Sequence, residues 1–150
     1  MITPAKTKSP CIGICSTGVG DSVCRGCKRF VHEVVDWNGY SEVQRRTISL
    51  RLSMLAQQVT EHVIEIVDES VLREQLRYQH IRFDESAGPY LWLIELLQVG
   101  ASTIEDLTPF GCRVRDQYVG QSLVSLRDQI DADLFVLSDV HYQRYFAGLK

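Results

Sequence analysis

"SPCIGICSTGVGDSVCRGCKRFVHEVVDW", residues 9–37, holds four of the chain's five cysteines, and its reading decides how the front of the molecule is built. The thiols fall as Cys11-x3-Cys15-x8-Cys24-x2-Cys27, two close pairs joined by a short loop. The stretch is polar and glycine-rich, so it offers these side chains no apolar core to occupy. A disulfide framework would need an oxidising compartment. Redox catalysis by Cys24-x2-Cys27 alone would suit a strand–helix setting in a larger α/β domain and would not need a second pair nearby. The pattern predicts one metal centre held by Cys11, Cys15, Cys24 and Cys27, because two cysteine pairs are a common design of structural sites.

The neighbouring residues suit that role. Gly13 and Gly26 sit inside the two pairs, where a backbone turning back on itself calls for positive φ. Gly18 and Gly20 with Asp21 and Ser22 make the joining loop a turn. Ile12, Ile14 and Val23 are placed to form a small apolar lid, and Arg25, Lys28 and Arg29 offset the negative charge of the thiolates. Phe30, Val34 and Trp37 follow at helical spacing, so a helix is expected here with its N-terminal amides toward the sulfurs. His32, shortly after Cys27, is a secondary ligand candidate, although four cysteines already complete a tetrahedron. One zinc ion fits a closed site of four thiolates. An iron–sulfur cluster also takes four cysteines, but the spacing matches neither the bacterial nor the plant ferredoxin run. Spacing therefore favours zinc, with the cluster as the alternative.

"SPCIGIC", "CRGCKR", the hydrophobic segment ending in Trp37, "SEVQRR" and "RLSML" together resemble a small bacterial four-cysteine domain family of unknown function. Its members are often labelled predicted iron–sulfur proteins. The resemblance covers about residues 9–55 and rests on the four cysteines with Pro10, Gly13, Gly26 and Trp37. Phe30 departs from it, standing where relatives more often carry a small polar residue. The resemblance implies metal ligation by the same cysteines and no particular reaction.

At 150 residues and 45% hydrophobic, the chain suffices for one domain, or a small module on a modest one. No apolar run approaches the ~20 residues that cross a bilayer. The start, "MITPAKTKSP", lacks the apolar core of a secretion signal, so a cytoplasmic location is expected. The net charge of −3 hides an asymmetry: residues 1–60 carry eight basic and four acidic side chains, and residues 61–150 carry eight and fifteen. A basic cysteine-rich end can meet an anion such as nucleic acid, or dock on the chain's own acidic half; the second is favoured.

The remainder reads as helical. Ser41-x-x-Gln44 is a capping box. Ile48, Leu52, Leu55, Val59, Val63 and Ile66 then form one apolar stripe, so a helix is expected to about Asp68, continuing or restarting over "VLREQLRYQH". "FDESAGP" (83–89) is a linker or hinge candidate. "PYLWLIELLQVG" is apolar nearly all round and reads as a buried helix, with Pro89 in its first turn and Gly100 at its end. Ser102-x-x-Glu105 is a second capping box, for a short helix ended by Pro109. "FGCRVRDQYVG" is loop or briefly extended, and one or two helices follow from Ser122.

The expected fold is therefore mainly α, a small N-terminal four-cysteine metal knuckle followed by a helical body. Residues 1–40 form the module, 41–82 one long helix or two, and 89–150 a C-terminal helical domain. The expected function is a structural zinc module on a helical domain that binds a protein partner. The alternative is an iron–sulfur protein in electron transfer or redox sensing. Nucleic-acid binding through Arg25, Lys28, Arg29, Arg45 and Arg46 is less favoured, because an aromatic stacking platform is missing beside them. Nothing argues for an enzyme: His32, His62, His80 and His141 are scattered, and the carboxylate pairs Glu61/Glu65 and Asp131/Asp133 are routine on acidic helices. Cys112, followed by Arg113 and Arg115, would be reactive only if exposed.

Overall fold

A computed structural model describes residues 7–13 and 15–146. Among them the architecture is mainly helical, with α1 (Val31–Asp36), α2 (Glu42–Val63), α3 (Glu69–Tyr78), α4 (Pro89–Gly100) and α5 (Leu123–Tyr145), plus the short strands β1 (Ile64–Ile66) and β2 (Cys112–Val114). The chain divides into two compact units, one of Met1–Leu55 with Leu134–Lys150 and one of Ala56–Asp133, so both boundaries fall inside helices α2 and α5. No helix among the described residues is long and apolar enough to cross a membrane.

The first unit is built on the cysteine segment. Val23 and Phe30 bridge antiparallel, closing a hairpin whose turn is Cys24–Arg29. Phe30 stays extended and α1 begins after it, with the Glu33 carboxylate accepting from the Phe30 amide at 2.9 Å. Helix α1 ends in a tight turn at Trp37–Gly39. The predicted capping box then opens α2: Gln44 N donates to Ser41 Oγ at 3.2 Å, and Ser41 N donates to Gln44 Oε1 at 2.8 Å. Ile48 and Leu55 bury the inner stripe of α2. Phe30 packs edge-on to Tyr142 at 5.5 Å and against Phe146 at 5.1 Å, which ties α5's end into this core.

In the second unit, the helix expected to reach Asp68 stops at Val63 instead. Ile64–Ile66 pairs antiparallel with Cys112–Val114, Glu65 opposite Arg113. The β-branched run Val63-Ile64 and Ile66-Val67 suits a strand better than a helix, but its partner lies far along the chain, so the stripe's helical spacing concealed it. Asp68 restarts the helix, its Oδ1 accepting from Ser70 N at 3.0 Å and Val71 N at 3.3 Å. Gly111 holds φ of +70°, and a Cβ there would stand 2.5 Å from the Asp68 carbonyl oxygen. Helix α4 begins at Pro89 and buries Trp92, Leu93, Leu96 and Leu97, as its composition predicts. The 83–89 segment is a loop anchored by Trp92, whose Nε1 donates to Asp84 O at 2.8 Å. The helix expected after Ser102 does not form. Thr103 and Ile104 amides instead turn back on the Gly100 carbonyl, and Asp106 accepts from Thr108 N at 2.9 Å, opening a short turn at Thr108–Phe110. From Ser122, one continuous helix, α5, is formed rather than two.

Candidate metal centre

Cys24 and Cys27 occupy the hairpin turn. Cys24 N donates to Arg29 O at 2.9 Å and Lys28 N to Cys24 O at 2.8 Å, so the chain reverses within six residues and the two thiols come side by side. The residue that takes the left-handed conformation here is Lys28, at φ +66°, and not Gly26 as expected; Gly13 does hold positive φ, at +87°. A lysine bears the strain because its buried ammonium donates to the Arg25 carbonyl and, at 3.1 Å, to the Gly26 carbonyl, satisfying the turn's acceptors. The 3-10 turn Thr17–Val19, capped by Gly20 at φ +104°, leads into this hairpin as the loop composition predicts.

The electrostatics of the pair are set by N–H donors. Burial alone would raise the Cys24 thiol; the amides of Cys27, Ser16 and Gly26, with the Cys27 side chain, outweigh it and bring it down to about 7. Burial keeps Cys27 above the ordinary thiol range despite Arg29, whose Nε donates to Cys27 Sγ at 3.2 Å. Of the two, Cys24 is the more readily ionised. The Arg29 guanidinium is itself fixed over the Trp37 ring, 4.9 Å from its centre. The amides that reach Cys24 come from the turn and from Ser16. Those at the start of α1 are engaged elsewhere: Phe30 N with Glu33, and Val31 N with Ser22 O.

The other two cysteines lie on the exposed strand of chain before this hairpin. Gly13 N approaches Cys11 Sγ at 3.4 Å, and Cys15 Sγ lies 3.1 Å from Thr17 Oγ1. None of the five cysteines is in a disulfide. Among the described residues, no three His, Cys, Asp or Glu side chains converge closely enough to hold a metal ion. The turn geometry brings Cys24 and Cys27 together. Of the expected lid, Val23 is buried and Ile12 is exposed, while Ile14 lies outside the described residues.

His32 packs against the rings of Phe30, at 5.9 Å, and Phe146, at 4.9 Å. Cys112 is buried, and burial pushes its thiol up to about 12, so it is no nucleophile. The basic set is largely committed inside the first unit. Lys28 and Arg29 are buried, Arg25 stacks on Phe135 at 4.4 Å, and Arg45 donates to the carbonyls of Trp37 and Asn38. One feature had no sequence signal: a bidentate ion pair joining α1 to α2, Arg51 Nη1 and Nη2 to the Glu33 carboxylate at 2.5 and 2.7 Å. An acid and an arginine 18 residues apart follow no helical or strand period.

Residues 9–55 match the family described as protein of unknown function (DUF1289). The DUF1289 segment spans all four clustered cysteines, the hairpin, α1 and α2 through Leu55, where the first unit's leading stretch also ends. Residues 56–150 lie outside that match. No curated protein and no solved structure matches the chain.

Proposed function

We propose that the DUF1289 segment is a structural metal module, with Cys11, Cys15, Cys24 and Cys27 as ligands to one zinc ion, on a helical body that serves protein–protein interaction in the cytoplasm. The observation that carries this reading is the hairpin's treatment of its sulfurs. Three backbone amides address Cys24 and a buried guanidinium addresses Cys27, the donors that stabilise thiolate rather than thiol. Arg29 stacked on Trp37 supplies the outer support that orients ligating side chains in metal sites. Residues 7–13 and 15–22 contribute little buried apolar area, so a metal ligated by Cys11 and Cys15 together with Cys24 and Cys27 would fasten this segment to the hairpin. A zinc ion bound there supplies a permanent cross-link and no reaction; such sites contribute folding free energy of order 10–16 kcal/mol in isolated finger peptides. The internal commitment of Lys28, Arg29 and Arg45 favours a protein partner over nucleic acid, which needs accessible cations along its phosphates.

The test is purification without oxygen, followed by metal and acid-labile sulfide analysis of the wild type and of Cys24→Ser, Cys27→Ser. A colourless protein with zinc equimolar to chain, lost in the variant, supports the reading. A brown protein carrying iron and sulfide transfers the same ligands to an iron–sulfur cluster and a redox role. Metal-free wild type with an intact first unit overturns both.

A further inference from the structure

Helix α2 has two apolar faces where one suffices. Its inner face, Ile48, Leu55, Ala56 and Val59, is buried. About 150° round the helix, at 100° per residue, runs a second stripe that the structure leaves open: Val43 is 70% exposed, Leu50 58% and Met54 69%. Thr47 completes it, exposed and with its hydroxyl turned back onto the Val43 carbonyl at 2.9 Å, so that its methyl is left for the face. The steps Val43, Thr47, Leu50, Met54 are four, three and four residues, the alternation of a coiled-coil seam. Single exposed apolar residues occur on any protein surface; consecutive ones in seam register over three turns form a continuous stripe.

The flanks say what covers it. On a seam of this register the flanking positions are Gln44, Arg46, Arg51 and Ser53, which include two cations and no acid. Arg51 is bound to Glu33, while Arg46 is exposed, its charge acting on Glu42 one turn back without a direct salt bridge among the described residues. A second copy laid on this face would set arginine flanks against arginine or neutral ones, with no opposite charge. A helix bearing Asp or Glu beside its own seam would meet Arg46 favourably.

We infer that the Val43–Thr47–Leu50–Met54 face of α2 docks an acidic amphipathic helix of another protein. This deepens the interaction half of the proposed function and does not depend on the metal, whose content is measured separately. The test uses the full chain and two synthetic helical peptides with Leu at the seam positions, one flanked by Glu and one by Lys, titrated by fluorescence anisotropy. The Glu peptide is expected to bind, the Lys peptide about two- to fivefold more weakly, and added salt to narrow the difference. Leu50→Lys, Met54→Lys should abolish binding, with the gentler Leu50→Gln, Met54→Gln weakening it, while the melting temperature and metal content stay as in the wild type. Arg46→Glu should erase the preference for the Glu peptide. Failure of the Glu peptide to bind, equal binding of both peptides, or a dimer in sedimentation that the Lys variant abolishes would each overturn the inference.

Discussion

Removing Arg51 should strand a charge inside the first unit. The Glu33 side chain is 6% exposed and accepts from Phe30 N at 2.9 Å and from both Arg51 terminal nitrogens. The Arg51 side chain is 25% exposed, and its guanidinium lies 4.1 Å from the Phe30 ring centre. Arg51→Met keeps the apolar stem but leaves the carboxylate with a single amide. Breaking one side of a buried pair costs about 3–5 kcal/mol, and Arg51's partial exposure puts the expected loss near the lower end, about 3 kcal/mol. Glu33→Gln should cost about 2 kcal/mol, because its amide oxygen can still accept from Phe30 N and the orphaned cation can reach water. The double variant should lose far less than the two singles added, a coupling of about 2 kcal/mol. The chain holds two tryptophans, Trp37 in the first unit and Trp92 in the second. Urea unfolding followed by fluorescence in a Trp92→Phe background therefore reports on the unit that holds the pair. A coupling below about 0.5 kcal/mol, the scale of exposed ion pairs, would refute the claim that this pair fastens α1 to α2.

Other consequences are equally open to measurement. Gly111→Ala would force a side chain into φ +70° with its Cβ 2.5 Å from Asp68 O, so a loss of about 2 kcal/mol or more is expected in thermal unfolding of the second unit. Asp68→Ala should remove about 1 kcal/mol by uncapping α3, with Asp68→Asn recovering most of it. Cys112, moved by burial from 9.0 to about 12, is protonated in the fold at pH values where the unfolded chain ionises. Its contribution is complete below about pH 9 and is lost as pH rises toward 12. Cys112→Ala should therefore flatten the alkaline fall in stability by up to about 1.4 kcal/mol per pH unit, and Cys112 should resist thiol reagents until the protein unfolds.

Local chemistry was legible wherever a short pattern carries its own cause. The Ser41/Gln44 box, the Pro89 start, the buried α4 and the turn between the cysteine pairs all follow from neighbours in sequence. Pairings across long separations were not. Ile64–Ile66 becomes a strand because Cys112–Val114 lies beside it, and no periodicity within 41–68 announces a partner so distant. The Ser102 box lost to a closer competitor, the Gly100 carbonyl, onto which Thr103 and Ile104 turn. At the candidate site, the close spacing of Cys24 and Cys27 was legible but the support around them was not. That Lys28 rather than Gly26 takes the strained turn follows from where its ammonium finds carbonyls, a three-dimensional fact. The same holds for Arg29, poised between Cys27 and Trp37.

X-ray absorption at the metal edge of anaerobically prepared protein addresses the four-sulfur centre most directly. The account predicts a zinc edge with four sulfur scatterers at about 2.3 Å, reduced or absent once Cys24 and Cys27 are serine. A shell of nitrogen and oxygen, or one unchanged by those substitutions, would contradict it.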